Sequence, residues 1–334
     1  MPKPSGAPTS GAADPRRTAR RRRATAWAAA VAGLAVGAAA ATVAVISPSA
    51  HHDTPHPTIS RPARTAEHPD HRLAVDTAGE AVDPTFFAPG ACVAYPPARG
   101  GTARTVFLDA GHGGLDPGGV GYTSNGTQVS EAPVNLRIEL LTAAILRVHG
   151  YRVVVSRTGP SGVARLGPGD VTGSLLTPAG VHADVAARDI CANKAGADLL
   201  VGIYMNAGGG EGSLTAYDPS RPFAAASLRF ATLLQHNVLS RLNAAGLDIP
   251  DDGVVSDVGL GSGLTAADMA YDHLLLLGPA KPGYFTAPSQ MPGALIEPLY
   301  VSDPFEAAVA ASPSGQHLIA AGIAAAVERY FAAS

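Results

Sequence analysis

Short apolar runs alternate with longer amphipathic segments over residues 105–331, and this alternation constrains the fold more than any other feature of the chain. The short runs have the length and composition of buried strands, and they lie at residues 105–109, 151–156, 198–204 and 294–297. The longer segments have helical length and patterning, and they lie at residues 131–148, 185–195, 223–245 and 316–331. Strands that alternate with helices predict an α/β fold with a largely parallel sheet flanked by helices on both faces.

Two glycine-rich stretches interrupt this pattern, at residues 159–184 and 246–263. Neither has a sustained apolar period, so we expect surface loops or lids there.

The N-terminal part of the chain has a different composition. Six arginines between positions 16 and 23 precede an uncharged apolar run of 23 residues, 24–46. As a helix this run would be about 35 Å long, enough to cross a hydrocarbon core of ~30 Å. A signal peptide usually has a shorter apolar core, of about 7–15 residues, and a small-residue cleavage site. The pattern favours an uncleaved transmembrane signal anchor over secretion after cleavage, with the arginines cytoplasmic and the remainder outside the membrane.

The segment that follows, residues 47–84, is rich in proline, histidine and charge. It has no apolar period with which to form a core, so we interpret it as a disordered linker and its five histidines as solvated linker residues. The predicted organisation is a basic cytoplasmic segment (1–23), a transmembrane helix (24–46), this linker (47–84) and one globular domain (85–334).

Charge and cysteine content limit the partners and the compartment. The formal net charge is −3, which argues against nucleic acid as a partner. The chain has two cysteines, Cys92 and Cys191, and an even pair in an exported protein predicts a disulfide. Two unrelated buried thiols, or half of a metal site, are the alternatives; the absence of a CxxC pattern weakens the metal interpretation.

The stretch TVFLDAGHGGLDPGGVG, residues 105–121, places His112 on a glycine-rich turn at the end of a predicted strand. Ligands of open α/β sheets bind beyond the carboxyl ends of the strands, where Tyr204 and Glu297 are also expected. Glu131 opens the following helix. An imidazole beside a carboxylate suits zinc, although a glutamate in the first turn of a helix also has an ordinary role in capping.

Two aspartates flank the histidine. Asp109 precedes the turn and could hydrogen-bond the free nitrogen of the imidazole or cap the turn. For Asp116 we favour a role in the turn.

Four blocks of the sequence, in this order, resemble the zinc-dependent N-acetylmuramoyl-L-alanine amidases of bacterial cell-wall turnover. They cover roughly residues 104–333 and read FLDAGHGGLDPGGVG, SEAPVNLRIELLTAAILRVHGYRVVVSRTGP, ARDICANKAGADLLVGIYMNA and ALIEPLYVSDPFEA. The resemblance implies that His112 and Glu131 are zinc ligands and that Glu297 is the catalytic base. It also implies that Arg188 and Asn193 support the site.

The chain departs from the family pattern where a second histidine ligand is expected. There it reads GIYMNA, and Tyr204 occupies the position of the third ligand. Three interpretations are open: Tyr204 binds zinc as a phenolate, another histidine such as His182 or His273 replaces it, or zinc is lost or weakly bound. After Glu297, Pro298 and the run YVSDP also differ from the family pattern.

The resemblance implies hydrolysis of the amide bond between N-acetylmuramic acid and L-alanine in peptidoglycan, by a zinc-activated water. Peptidoglycan is the expected partner, and a protein activator or regulator is a further one. The alternative is a catalytically weakened, amidase-like module that binds peptidoglycan or regulates other enzymes.

Overall fold

A computed structural model describes residues 79–260 and 265–333 of the chain. The predicted basic segment, the transmembrane helix and most of the linker lie outside the described residues. Among the helices within those two ranges, none is both long enough and apolar enough to span a membrane.

The described residues form one large sheet, two small hairpins and six α-helices. The twelve strands are β1 Glu80–Ala81, β2 Ala91–Tyr95, β3 Thr105–Ala110, β4 Val120–Tyr122, β5 Gln128–Ser130, β6 Arg152–Arg157, β7 Val171–Thr172, β8 Leu175–Leu176, β9 Leu199–Ile203, β10 Ser213–Tyr217, β11 Asp251–Ser256 and β12 Gly293–Glu297. The helices are α1 Glu131–Val148, α2 Pro178–Lys194, α3 Ala224–Ala244, α4 Ala266–Tyr271, α5 Pro304–Ala311 and α6 Pro313–Ala332.

The eight strands of the large sheet are ordered β1-β2-β6-β3-β9-β12-β10-β11. Its centre, β6-β3-β9-β12, is parallel. On one side β2 joins β6 antiparallel. On the other, β10 runs antiparallel to β12, and β11 runs parallel to β10. Measured along the strand direction, the carboxyl ends of β10 and β11 therefore lie at the opposite edge of the sheet from the carboxyl ends of β3, β9 and β12.

Helices cover both faces of the sheet unequally. One face carries the larger core, where α1, α3, α5 and α6 pack on alternate strand residues such as Val106, Leu108 and Val201. The other face is covered by α2 together with residues 274–291, which pack on Phe107, Val154 and Leu200. Strands with buried residues on both faces explain why the sequence shows continuous apolar runs there.

A disulfide between Cys92 in β2 and Cys191 in α2 joins the second face to the sheet. It closes a loop across 99 positions of the sequence, and a loop of about 100 residues contributes about 5 kcal/mol in the chain-entropy model. The predicted pairing of the two cysteines is confirmed.

The predicted α/β class with a mostly parallel, helix-flanked sheet is confirmed, and two local expectations are wrong. The stretch 246–263 contains the edge strand β11 rather than only a loop. The stretch 159–184 contains the small hairpin of β7 and β8 and the first turns of α2, which begins at Pro178 behind its N-cap Thr177.

Candidate active site

His112 lies directly beyond the carboxyl end of β3 in a left-handed backbone conformation, with φ of 62°. That conformation is uncommon for a residue with a Cβ and persists only where its surroundings enforce it. The enforcing groups are two buried guanidinium groups. Arg188 donates to the carbonyl oxygens of Ala110 and His112, at 2.7 and 2.8 Å, and Arg157 donates to those of Ala110 and Gly111, at 3.1 and 3.2 Å.

The imidazole of His112 lies between two carboxylates. Nδ1 is 2.7 Å from Asp116 Oδ2, and Nε2 is 3.1 Å from Glu131 Oε2. Burial alone would lower the pKa of His112, but the charges of Glu131 and Asp116 outweigh it and raise that pKa to about 10. Asp116 also accepts the amide hydrogen of Gly118. It therefore has the expected turn role and also the contact with the imidazole that was considered for Asp109.

Glu131 is the first residue of α1 and is 4% exposed. Its Oε1 accepts the amide hydrogen of Gly119 at 2.7 Å, whereas its buried Oε2 has, apart from the contact with His112 Nε2, no hydrogen-bond partner among the described residues. The turn passes so close that a Cβ on Gly118, which has φ of 68°, would lie 2.7 Å from both Glu131 Cβ and His112 Cδ2. Glycine at 118 thus allows the chain to wrap the His112–Glu131 pair.

Tyr204 follows β9 and lies beside the same turn, but its hydroxyl points to another partner. It donates to Asp109 Oδ2 at 3.1 Å, and the ring meets that of His112 edge-on, with centroids 5.4 Å apart. Burial and the neighbouring Asp109 charge raise the pKa of Tyr204 well above its usual value. These contacts favour a neutral phenol over a phenolate.

Glu297 ends β12 and faces the same region. Its Oε2 accepts a hydrogen bond of 2.6 Å from the side-chain amide of Asn206. Burial, reinforced by the charge of Glu131, raises the pKa of Glu297 to about 8. A carboxylate whose pKa lies near neutrality is suited to accept and return a proton.

A buried charge network supports the turn from beneath. Arg188 pairs with Asp109 at 2.6 Å and with Asp184 at 2.7 Å. Glu139 Oε1 accepts hydrogen bonds from the amides of Ala110 and Ser156 and from the Ser156 hydroxyl. Sequence reasoning singled out Asp109 and Arg188, but it missed Asp184, Glu139 and Arg157.

Three other residues considered from the sequence lie elsewhere. Asn193 bonds the backbone of Pro288 and Gln290, so it fastens the segment before β12 rather than the His112 turn. His182 packs edge-on against the rings of Tyr284 and Phe285. His273 lies with two aspartates beyond β10 and β11, at the opposite edge of the sheet.

The donor set at the turn fits a metal ion in part. Two ligands of tetrahedral zinc lie roughly 3.3 Å apart, close to the 3.1 Å between His112 Nε2 and Glu131 Oε2. The near partner of the buried Glu131 Oε2 is His112 Nε2, so a cation held between these two atoms would pair with both. Tyr204 does not fit as the third ligand in this arrangement, because its hydroxyl is bound to Asp109.

Comparison with known proteins places this geometry in context. A family model described as N-acetylmuramoyl-L-alanine amidase matches residues 106–329. A sporulation-specific N-acetylmuramoyl-L-alanine amidase of Bacillus subtilis is 30% identical over 107 residues, which is 32% of this chain and 33% of that protein. The N-acetylmuramoyl-L-alanine amidase AmiA of Salmonella typhimurium is 48% identical over 59 residues, 18% of this chain and 19% of that protein. The matched stretches thus span a third or less of these relatives.

Among solved structures, the CwlD amidase from Clostridioides difficile, determined in complex with the GerS lipoprotein, is similar with a TM-score of 0.52. The match covers 69% of this chain and 100% of that one at 20% identity. A likeness at this identity supports the fold described above.

Proposed function

The chain belongs to the N-acetylmuramoyl-L-alanine amidase family, and we propose that it hydrolyses the amide bond between N-acetylmuramic acid and L-alanine in peptidoglycan. The observation that carries this proposal is the convergence of His112, Glu131 and Glu297 at one edge of the sheet, within the matched region. One imidazole, a buried carboxylate oxygen 3.1 Å from it and a second carboxylate with raised pKa form a set suited to metal-assisted amide hydrolysis.

We propose His112 Nε2 and Glu131 Oε2 as the protein atoms that hold zinc. Bound zinc would supply Lewis-acid polarisation of the amide carbonyl and a lowered pKa for the attacking water. Asp116 holds Nδ1, which leaves Nε2 directed at Glu131. A carboxylate on the far nitrogen is the usual device for fixing the orientation and tautomer of a metal-binding histidine.

Glu297 would act as the proton carrier. Its carboxylate would accept a proton from the attacking water and return it to the leaving amine of L-alanine. The amide of Asn206 holds Oε2, which orients the carboxylate. The Glu131 charge that raises the pKa of Glu297 would be offset by a bound cation, so the working pKa should be lower than in the metal-free protein.

A second candidate function rests on Tyr204. Its bond to Asp109 leaves the described site with two metal-binding side chains instead of the three that catalytic zinc usually has. His182 and His273 have other surroundings and do not make up the difference. A catalytically weakened module that binds peptidoglycan, or regulates a partner, is the function that this observation favours.

We also propose that the domain works outside the cytoplasmic membrane, held there by residues 24–46. The arginine-flanked apolar run and the Cys92–Cys191 disulfide support this location. A membrane-impermeant protease added to intact cells should degrade the domain and spare the N-terminal segment. Protection of the whole chain would contradict the proposed orientation.

The activity is tested with the full-length protein in detergent micelles, chelator-treated and then supplied with zinc, on a muropeptide of defined structure. Mass spectrometry should detect free stem peptide, and Glu297→Gln should lower kcat by about 100-fold or more. Glu211→Gln removes an exposed carboxylate and should leave kcat unchanged. If the folded, zinc-supplied protein binds the muropeptide without cleaving it, the result would contradict the proposed hydrolysis and favour the binding module.

A further inference from the structure

A second group of metal-binding side chains lies at the opposite edge of the sheet from His112. Asp218 directly follows β10, Asp257 directly follows β11, and His273 lies two residues beyond the end of α4. Each offers one ligand atom, and these atoms lie within 4.8 Å of one another. Because β10 and β11 run against β12, this group belongs to a different edge from the proposed active site.

Hydrogen bonds within the group do not satisfy both carboxylates. His273 Nδ1 lies 3.1 Å from Asp218 Oδ2 and 3.3 Å from Asp257 Oδ2. One nitrogen carries at most one proton and cannot donate well to both carboxylates. Asp218 is 2% exposed, and apart from the His273 contact its Oδ2 accepts no hydrogen bond from any residue in the described ranges.

Nearby charge is also unbalanced toward the negative. Arg221 acts electrostatically on Asp257, Asp218 and a third buried carboxylate, Asp189. Its terminal nitrogens, however, donate to the backbone carbonyl oxygens of Leu277, Gly278 and Ser289. Burial raises the pKa of Asp189 well above its usual value, so it adds little charge near neutrality. One guanidinium therefore faces Asp218 and Asp257 without bonding them directly, and buried charges need partners.

We propose that Asp218, Asp257 and His273 bind a divalent cation, with Zn²⁺ as the best match to two carboxylate oxygens and one imidazole nitrogen. The distances of 3.1 and 3.3 Å agree with the roughly 3.3 Å between ligands of tetrahedral zinc. A cation there would give Asp218 Oδ2 a bonding partner and balance the local charge.

The burial of the three side chains suits a structural ion rather than a catalytic one. Asp218 and Asp257 are almost fully buried, and the side chain of His273 is 15% exposed. The ion would join the ends of β10 and β11 to the segment after α4, where the amide of Leu274 already donates to Asp257 Oδ2. It would thereby fix part of the cover over the second face of the sheet.

The test counts zinc in the full-length protein by mass spectrometry after chelator treatment, reloading and removal of free metal. His112→Ala serves as the parent, so that loss of metal is independent of the proposed active site. Asp257→Asn in this parent should remove one equivalent of zinc. Asp272→Asn, which alters an exposed carboxylate beside His273, should remove none, and the linker histidines contribute equally to all three proteins.

Thermal unfolding supplies an independent readout. At roughly 100 times its dissociation constant, Zn²⁺ should raise the Tm of the parent by about 5 °C or more, and it should raise that of Asp257→Asn much less. Should Asp257→Asn fail to fold, His273→Gln takes its place. Equal zinc content in the parent and in a folded cluster variant would overturn the proposal.

Discussion

The two histidine-centred groups of this molecule use similar residue types in different ways. At the edge that holds the proposed active site, called the active-site edge below, His112 uses one ring nitrogen for each of two carboxylates, Asp116 and Glu131. At the opposite edge, a single nitrogen of His273 faces both Asp218 and Asp257. In the first arrangement Asp116 orients the ring through Nδ1, and Nε2 faces the site together with Glu131. That arrangement suits catalysis. In the second all groups converge on one point, which suits the burial of an ion.

The arginines beside the two groups differ in the same sense. Arg188 pairs directly with Asp109 and Asp184, and it also binds the backbone of the His112 turn. Arg221 bonds only carbonyl oxygens through its terminal nitrogens. The charges of Asp109 and Asp184 beneath the His112 turn are therefore neutralised by protein, and the turn holds its shape through protein groups. At the other edge the protein leaves charge for a bound cation to neutralise.

The largest effect that tests this contrast is expected from Arg188→Met. The change removes the guanidinium and leaves Asp109 and Asp184 buried without their partner, which typically costs about 3–5 kcal/mol of unfolding free energy. Urea unfolding measures the loss, and Arg137→Met, an exposed change on α1, should stay within about 0.5 kcal/mol of the native protein. A loss below about 1 kcal/mol for Arg188→Met would show that direct pairing with Arg188 does not stabilise Asp109 and Asp184, and the contrast with Arg221 would fail.

Tyr204→His tests the contrast through the zinc affinity of the His112–Glu131 pair. A histidine at this position would give the His112–Glu131 pair a third protein ligand, and we expect zinc to bind at least ~100-fold more tightly, equivalent to about 2.7 kcal/mol. The change also removes the hydroxyl that bonds Asp109, at a cost of about 1 kcal/mol in stability. Competition with a fluorescent chelator measures the affinity.

Tyr204→Phe is the matched control for that experiment. It keeps the ring against His112 and removes only the hydroxyl, so zinc affinity should remain within about threefold of the native value. A large loss of affinity in Tyr204→Phe would show that Tyr204 binds the metal as a phenolate, contrary to its contact with Asp109.

The sequence predicted those parts of the fold that depend on local pattern. Helix α1 has the predicted bounds, because its apolar residues recur at helical spacing and Gly150 follows its end. The edge strand β11, with sequence DDGVVS, was missed because its residues are partly exposed and lack an apolar run. The orientation of β10 depends on long-range pairing with β12, for which the local sequence carries no signal.

The site shows the same division between local and distant information. The positions of His112, Glu131 and Glu297 could be predicted because each lies at or near the end of a strand or the start of a helix that the sequence pattern reveals. The pairing of Arg188 with Asp109 spans 79 positions, and that of His273 with Asp218 joins the segment after α4 to the end of β10, which is distant in the sequence. Such partners are selected by tertiary packing, so a single sequence without homologues does not reveal them.

The smallest expected effect concerns Asp116. Its substitution tests whether the contact of Asp116 with Nδ1 orients the His112 ring for zinc binding. Asp116→Asn retains an oxygen that can accept the Gly118 amide, but it removes the charge that fixes His112 Nδ1. Loss of such a partner typically costs 10–100-fold in metal affinity, about 1.4–2.7 kcal/mol. The change should weaken zinc binding at the His112 site and leave the zinc equivalent at Asp257 unaffected. Asp248→Asn, an exposed control, should alter neither. An unchanged affinity in Asp116→Asn would mean that the glycine turn alone orients the imidazole, and the active-site edge would then rely on backbone geometry rather than on its second carboxylate.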